Sequence, residues 1–112
     1  MEIKYPLVFD EVMIEQLQKA AKNQQIKLIL QKMLNKLEIG GPNTGKLLDS
    51  KLFIYEIKNK HPSIRLYFKH LIQTNEIYVF EFELKTSEEK QQSTIHRLKF
   101  KAISLFRSLN LF

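Results

Sequence analysis

Arginine and lysine are the side chains of this sequence whose types and placement suggest chemistry. A guanidinium is a rigid planar fork that stays charged and matches the oxygens of a phosphate, which a mobile ammonium cannot do as well. Arg65 lies in Ile64-Arg65-Leu66-Tyr67-Phe68, where strand alternation sets it opposite Leu66 and on one face with Tyr67. Lys58 precedes it across a turn at His61-Pro62-Ser63. His61, His70 and His96 are the side chains able to move a proton near neutral pH. The first two fall at turn edges, and His96 faces away from the apolar stripe of a terminal helix. There is no cysteine, which excludes a disulfide framework, a thiolate nucleophile and a thiolate metal site. No metal-ligand or nucleotide motif is recognisable, so neither a metal nor an organic cofactor is expected.

The cations are unevenly spread. Of the net charge of +6, the segment from Lys46 to His70 carries six basic residues against Asp49 and Glu56, which is +4. The segment from Lys85 to Phe112 carries six against Glu88 and Glu89, again +4, so the remaining chain is −2. Such asymmetry is the electrostatic footprint of a polyanion binder; a lysine-rich solvated surface would leave the same mark. A chain of 112 residues is long enough for one modest core. The start MEIKYPLVFDEV lacks the basic, apolar and small-residue regions of a signal peptide, and no apolar stretch is long enough to span a membrane. An intracellular, cytoplasmic domain without membrane contact is expected.

The elements that must position these residues follow from periodicity. Ile3, Tyr5, Leu7 and Phe9 alternate within residues 2–9 and predict a short strand, which Pro6 confines to an edge. Asp10 caps a first helix over Glu11–Lys22, with Val12, Met13, Leu17 and Ala20 or Ala21 turned inward. A second helix over Gln25–Glu38 has the stripe Ile26, Ile29, Leu30, Met33, Leu34 and Leu37, and Gly40-Gly41-Pro42 stops it. The two form a helical hairpin. After a loop to Asp49, strands are predicted over Leu52–Lys58, Ile64–Phe68 and Ile77–Leu84, joined by turns at His61-Pro62-Ser63 and Thr74-Asn75-Glu76 as an antiparallel meander. Helical character returns at Ser87, with Ile95, Leu98, Ala102, Leu105, Phe106 and Leu109 as its inner stripe. The order is β-α-α-β-β-β-α, an α+β domain.

That order, with several local patterns, resembles the RelE/ParE toxin superfamily, and within it the HigB or phage-Gp49-like branch. Gly45-Lys46-Leu47-Leu48-Asp49 is similar to a "kLkdg" stretch, Phe53-Ile54-Tyr55-Glu56-Ile57-Lys58 to "lyELR", and Ile64-Arg65-Leu66-Tyr67-Phe68 to "yRilYf". Phe82-Glu83-Leu84-Lys85-Thr86 is similar to "FvKKt". The resemblance spans roughly residues 17–106. It implies a RelE-like fold with helices packed on one side of a twisted, mainly antiparallel sheet. It further implies a toxin of a type II toxin–antitoxin system that cuts mRNA on the ribosome without a metal and is silenced by a cognate antitoxin.

By the same resemblance Arg65 would contact the phosphate and its transition state, and Lys58 and Lys85 would complete the catalytic set. Lys46, Lys51, Lys60, Lys90 and Arg97 would contact RNA, those on the last helix by docking on ribosomal RNA or on an acidic partner segment. Each has a plainer alternative: Arg65 as a surface pair with Glu56 or Glu81, Lys58 as an exposed strand-end lysine. Tyr55 and Tyr67 could stack on a base, but a tyrosine on a sheet is more often core. The chain also departs from the pattern. Where several RelE-like toxins carry further arginines and a tyrosine after the last strand, residues 86–92 here have neither and include Glu88 and Glu89. The histidine common near the end of the last strand in the HigB branch is replaced at about Phe80. These departures favour a second possibility, a non-catalytic member that poisons gyrase or only binds its partner.

Overall fold

The computed structural model describes residues 4–85 and 87–110, the last five by their backbone alone. Ile3, Thr86 and the side chains of Phe106 and Leu109, which figure in the sequence patterns, lie outside the described residues. The elements are β1 (Leu7–Phe9), α1 (Glu11–Ala20), α2 (Gln24–Gly40), a 3-10 turn (Gly41–Thr44), β2 (Lys46–Asp49), β3 (Ile54–Asn59), β4 (Ile64–Leu71), β5 (Glu76–Leu84) and α3 (Glu88–Asn110). The five strands form one sheet in the order β1-β5-β4-β3-β2, with β1 parallel to β5 and the other pairs antiparallel.

Local chemistry sets these boundaries. The Asp10 carboxylate accepts the N–H of Val12 at 2.9 Å and starts α1, and Asn23 accepts that of Ile26 at 3.2 Å and starts α2. Gly41 ends α2 with φ +58°, and a Cβ there would stand 2.6 Å from the Tyr5 ring, so both backbone and space require glycine. Pro6 sits just before β1 at the sheet edge, where its carbonyl accepts the N–H of Ile77 at 2.9 Å.

Several boundaries shift from the sequence pattern, β4 running on to Leu71 among them, and two of the shifts bear on the site. Residues 46–49, read as loop, form β2, which pairs Lys46 with Glu56 and Leu47 with Tyr55. A strand this short carries too few residues for a visible alternation; its partner strand defines it. Then β3 begins at Ile54 instead of Leu52, because the Asp49 carboxylate takes the N–H groups of Lys51 and Leu52, each at 2.9 Å, and Phe53 turns with φ +56°.

The third difference concerns layers. The hairpin covers one face, with Met13, Leu30, Met33 and Leu37 packed among Ile57, Leu66, Phe68 and Val79. On the opposite face Ile95, Leu98 and Ala102 of α3 pack on Ile54, Tyr67 and Phe80. Helices therefore lie on both sides, not on one as the resemblance implied. The reason is in β4: Leu66 and Phe68 are fully buried on one face and Tyr67 on the other. Burying a large side chain stabilises by about 1.5–3 kcal/mol, so a strand apolar on both faces needs cover on both.

Candidate nucleic-acid cleft

Strand register brings the predicted cations together. Lys46 stands opposite Glu56, Lys58 opposite Arg65, and Arg65 opposite Glu83. Alternation turns Glu56, Lys58 and Arg65 to the face that α3 covers. There α2, β2, β3, β4 and the first turns of α3 enclose an open cleft of about 580 Å³, lined by Lys36, Lys46, Glu56, Lys58, Arg65 and Gln91 among others.

Arg65 does pair with an acid, and the partner is Glu56. Its Nη1 lies 3.2 Å from both carboxylate oxygens. Gln91 of α3 donates from Nε2 to Glu56 Oε2 at 2.8 Å. Glu56 is 6% exposed and the Arg65 side chain 19%. One nitrogen carries the Arg65 side of the pair, and Nε of Arg65 is buried without a partner among the described residues. The fork is therefore incompletely used.

Glu81 and Glu83 beside it are satisfied differently. Glu83 accepts from Tyr67 Oη at 2.7 Å and from Thr94 Oγ1 at 2.8 Å. Burial, with Glu83 next to it, pushes the Tyr67 hydroxyl above its ordinary range and keeps it a neutral donor. Arg97 grips Glu81 with two nitrogens at 2.7 and 2.8 Å, which raises its pKa further. Lys99 reaches Asp49 at 3.5 Å and Lys101 reaches Asp10 at 3.1 Å. Arg97, Lys99 and Lys101 of the basic patch read on the last helix are thus turned toward the protein's own acids in the sheet and at the α1 cap, so these cations hold α3 down before they can dock anything.

The remaining predicted residues scatter. Lys85 is exposed at φ +47° after β5, its N–H bonded to the Ser63 carbonyl, and does not line the cleft. Lys51 and Lys60 are exposed in the turns on either side of β3. Lys90 is exposed at the start of α3 and borders a separate depression with Arg97 and Glu81. Tyr67 is fully buried and Tyr55 stacks on Phe68 at 5.2 Å, so both are packing residues. Neither His61, His70 nor His96 lines the cleft: His70 bonds Asn75 at 2.9 Å and His96 meets Phe100 edge-on at 5.4 Å. Lys36 and Gln91 were missed by sequence reasoning. Lys36 is one of several lysines on the polar side of α2, and no local pattern singles it out.

Among the described residues no group of three or more histidine, aspartate or glutamate side chains is placed to hold a metal ion, and no helix is long and apolar enough to cross a membrane. No protein-family model and no curated protein sequence matches the chain. Solved structures do. The isolated RelE toxin of E. coli aligns with a TM-score of 0.61 at 21% identity, over 84% of this chain and 98% of that one. The E. coli RelBE toxin–antitoxin complex gives 0.59 at 21% over 74% and 99%. The RelBE2 complex of Mycobacterium tuberculosis gives 0.60 at 12% over 78% and 98%. A helical hairpin, a five-stranded mixed sheet and a C-terminal helix define a small α+β class. The chain has the fold of the RelE toxins.

Proposed function

We propose that this protein is the toxin of a type II toxin–antitoxin pair, an endoribonuclease that cuts mRNA on the ribosome and is held by a cognate antitoxin. The observation that carries this reading is Arg65 lining a cleft together with Lys36, Lys46 and Lys58, with a guanidinium only half engaged by Glu56. Cleavage of RNA without a metal needs the ribose 2′-hydroxyl activated, the extra charge on phosphorus stabilised and the leaving oxygen protonated. A free guanidinium edge meets the second need, and the surrounding ammonium groups draw the phosphate chain in. Neighbours of the same fold crystallise with RelB antitoxins, which favours an antitoxin partner here.

Primer extension on total mRNA after brief induction tests it. Discrete cuts within translated codons, absent with Arg65→Ala, are the expected result. Growth arrest without cuts but with lost DNA supercoiling would replace the nuclease by a gyrase poison, and neither effect would leave a protein that only binds its partner.

A further inference from the structure

Three glutamates share the sheet face under α3, and their surroundings divide them. Glu81 has both oxygens in the Arg97 fork, and Glu83 has one oxygen on Tyr67 and the other on Thr94. Both lie outside the cleft lining and border the separate depression beside Lys90 and Arg97. Glu56 differs on each count. It is the carboxylate among the described cleft-lining residues, and it holds one shared Nη1 of Arg65 plus Gln91 on a single oxygen. Two carboxylate oxygens offer about four acceptor sites. Oε1, which among the described residues is bonded to the Arg65 nitrogen alone, can therefore still accept a hydroxyl proton.

We propose that Glu56 is the general base of this cleft, taking the proton of the ribose 2′-hydroxyl while Arg65 holds the phosphate. The proposal rests on the nuclease reading and adds the group that this reading leaves unnamed. The 2′ oxygen gives its proton to Glu56 Oε1 and bonds to phosphorus, and the phosphorus–5′-oxygen bond breaks. The leaving 5′ oxygen takes a proton from Lys58, two residues along β3 and about 7 Å away by strand geometry. The products are a 2′,3′-cyclic phosphate and a free 5′-hydroxyl, and exchange with water restores both side chains. Gln91 fits the same scheme as a positioning residue, because its amide fixes the other carboxylate oxygen and leaves Oε1 out of that bond. The charged and titratable groups facing Glu56 are Lys36, Lys46, Lys58 and Arg65 of the cleft and Tyr67 across the strand pair, and none of them is a carboxylate.

The test uses the full chain on ribosomes carrying a defined mRNA, with either an oxygen or a sulfur leaving atom at the scissile bond; sulfur leaves without protonation. Glu56→Gln is expected to cut about 10²–10⁴-fold more slowly on both substrates, with binding within threefold of the parent and an unchanged fold by circular dichroism. Glu56→Asp keeps the charge opposite Arg65 and withdraws the carboxylate by one methylene. It is expected to bind normally and cut about 10–100-fold more slowly, which tests the idea even if the Gln variant misfolds. Cutting by Glu56→Gln or Glu56→Asp within threefold of the parent overturns the assignment, and so does full rescue of either by sulfur. If the parent itself does not cut, the nuclease reading fails and the base falls with it.

Discussion

Nη1 of Arg65 straddles the carboxylate of Glu56 at 3.2 Å from each oxygen, so a single nitrogen holds the pair that anchors the cleft. On the same sheet face, Arg97 and Glu81 form the opposite case, two nitrogens on two oxygens. The geometric difference separates a side chain kept available from one committed to packing.

That contrast predicts an order of stabilities. Arg97→Ala leaves Glu81, 8% exposed, without its bonded partner among the described residues and is expected to cost about 2–3 kcal/mol, less than a fully buried pair because Arg97 is half exposed. Arg65→Ala leaves Glu56 still bonded to Gln91 and is expected to cost about 1–2 kcal/mol. Urea denaturation of the two variants checks the order; a larger loss for Arg65→Ala would show that the Glu56 pair is the structural one.

Tyr67→Phe removes the donor to Glu83 inside the sheet and leaves Thr94 as its remaining bonded partner. The loss is expected to be about 1–3 kcal/mol with little change in RNA binding. Equal stability of the variant in denaturant would mean that water replaces the hydroxyl and that the site is wetter than its burial indicates.

Much of this architecture was legible in the sequence because it is written in local period. The hairpin, the central strands and the terminal helix follow from stripes such as Ile26 to Leu37 and from turns at His61-Pro62 and Thr74-Asn75, and Pro6 placed β1 at an edge. What stayed hidden depends on pairing across the chain. β2 exists because Lys46 and Leu47 find Glu56 and Tyr55, and α3 covers the second face because Tyr67 and Phe80 are apolar there. The cleft was half visible: Arg65, Lys58 and Lys46 were named, but Lys36 enters from another element and Glu56 entered only as a pairing partner. The cations of α3 looked like a binding patch because their acids, Asp10, Asp49 and Glu81, lie far away in sequence.

Acid sensitivity follows from two aspartates. Burial alone would raise the Asp10 carboxyl, but the N–H of Val12, the Tyr78 hydroxyl and Lys101 outweigh it and hold the group below its ordinary 3.8. The N–H of Leu52, assisted by Lys51 and Lys99, likewise holds Asp49 low. A carboxyl whose folded pKa is depressed contributes stability above its unfolded pKa and loses it as pH falls through the folded value. The thermal midpoint is therefore expected to drop as pH is lowered below about 4. Asp10→Asn, which can still cap α1, is expected to make that drop shallower; an unchanged slope would remove Asp10 from the linkage.

Gly41→Ala tests the junction that sets α2 against β1. The φ of +58° and the 2.6 Å approach to Tyr5 both oppose a side chain, and a loss of about 2–3 kcal/mol is expected in denaturation. Wild-type stability would show that Tyr5 moves aside without cost.

The central claim is that RNA is cut where Arg65 meets Glu56. Its most direct measurement is the single-turnover rate at which the purified protein cleaves end-labelled mRNA on programmed ribosomes, compared with Arg65→Ala. Discrete cuts by the parent and at least a roughly 100-fold slower rate for the folded variant are predicted. No cutting by the folded parent, or equal rates for both proteins, would contradict it.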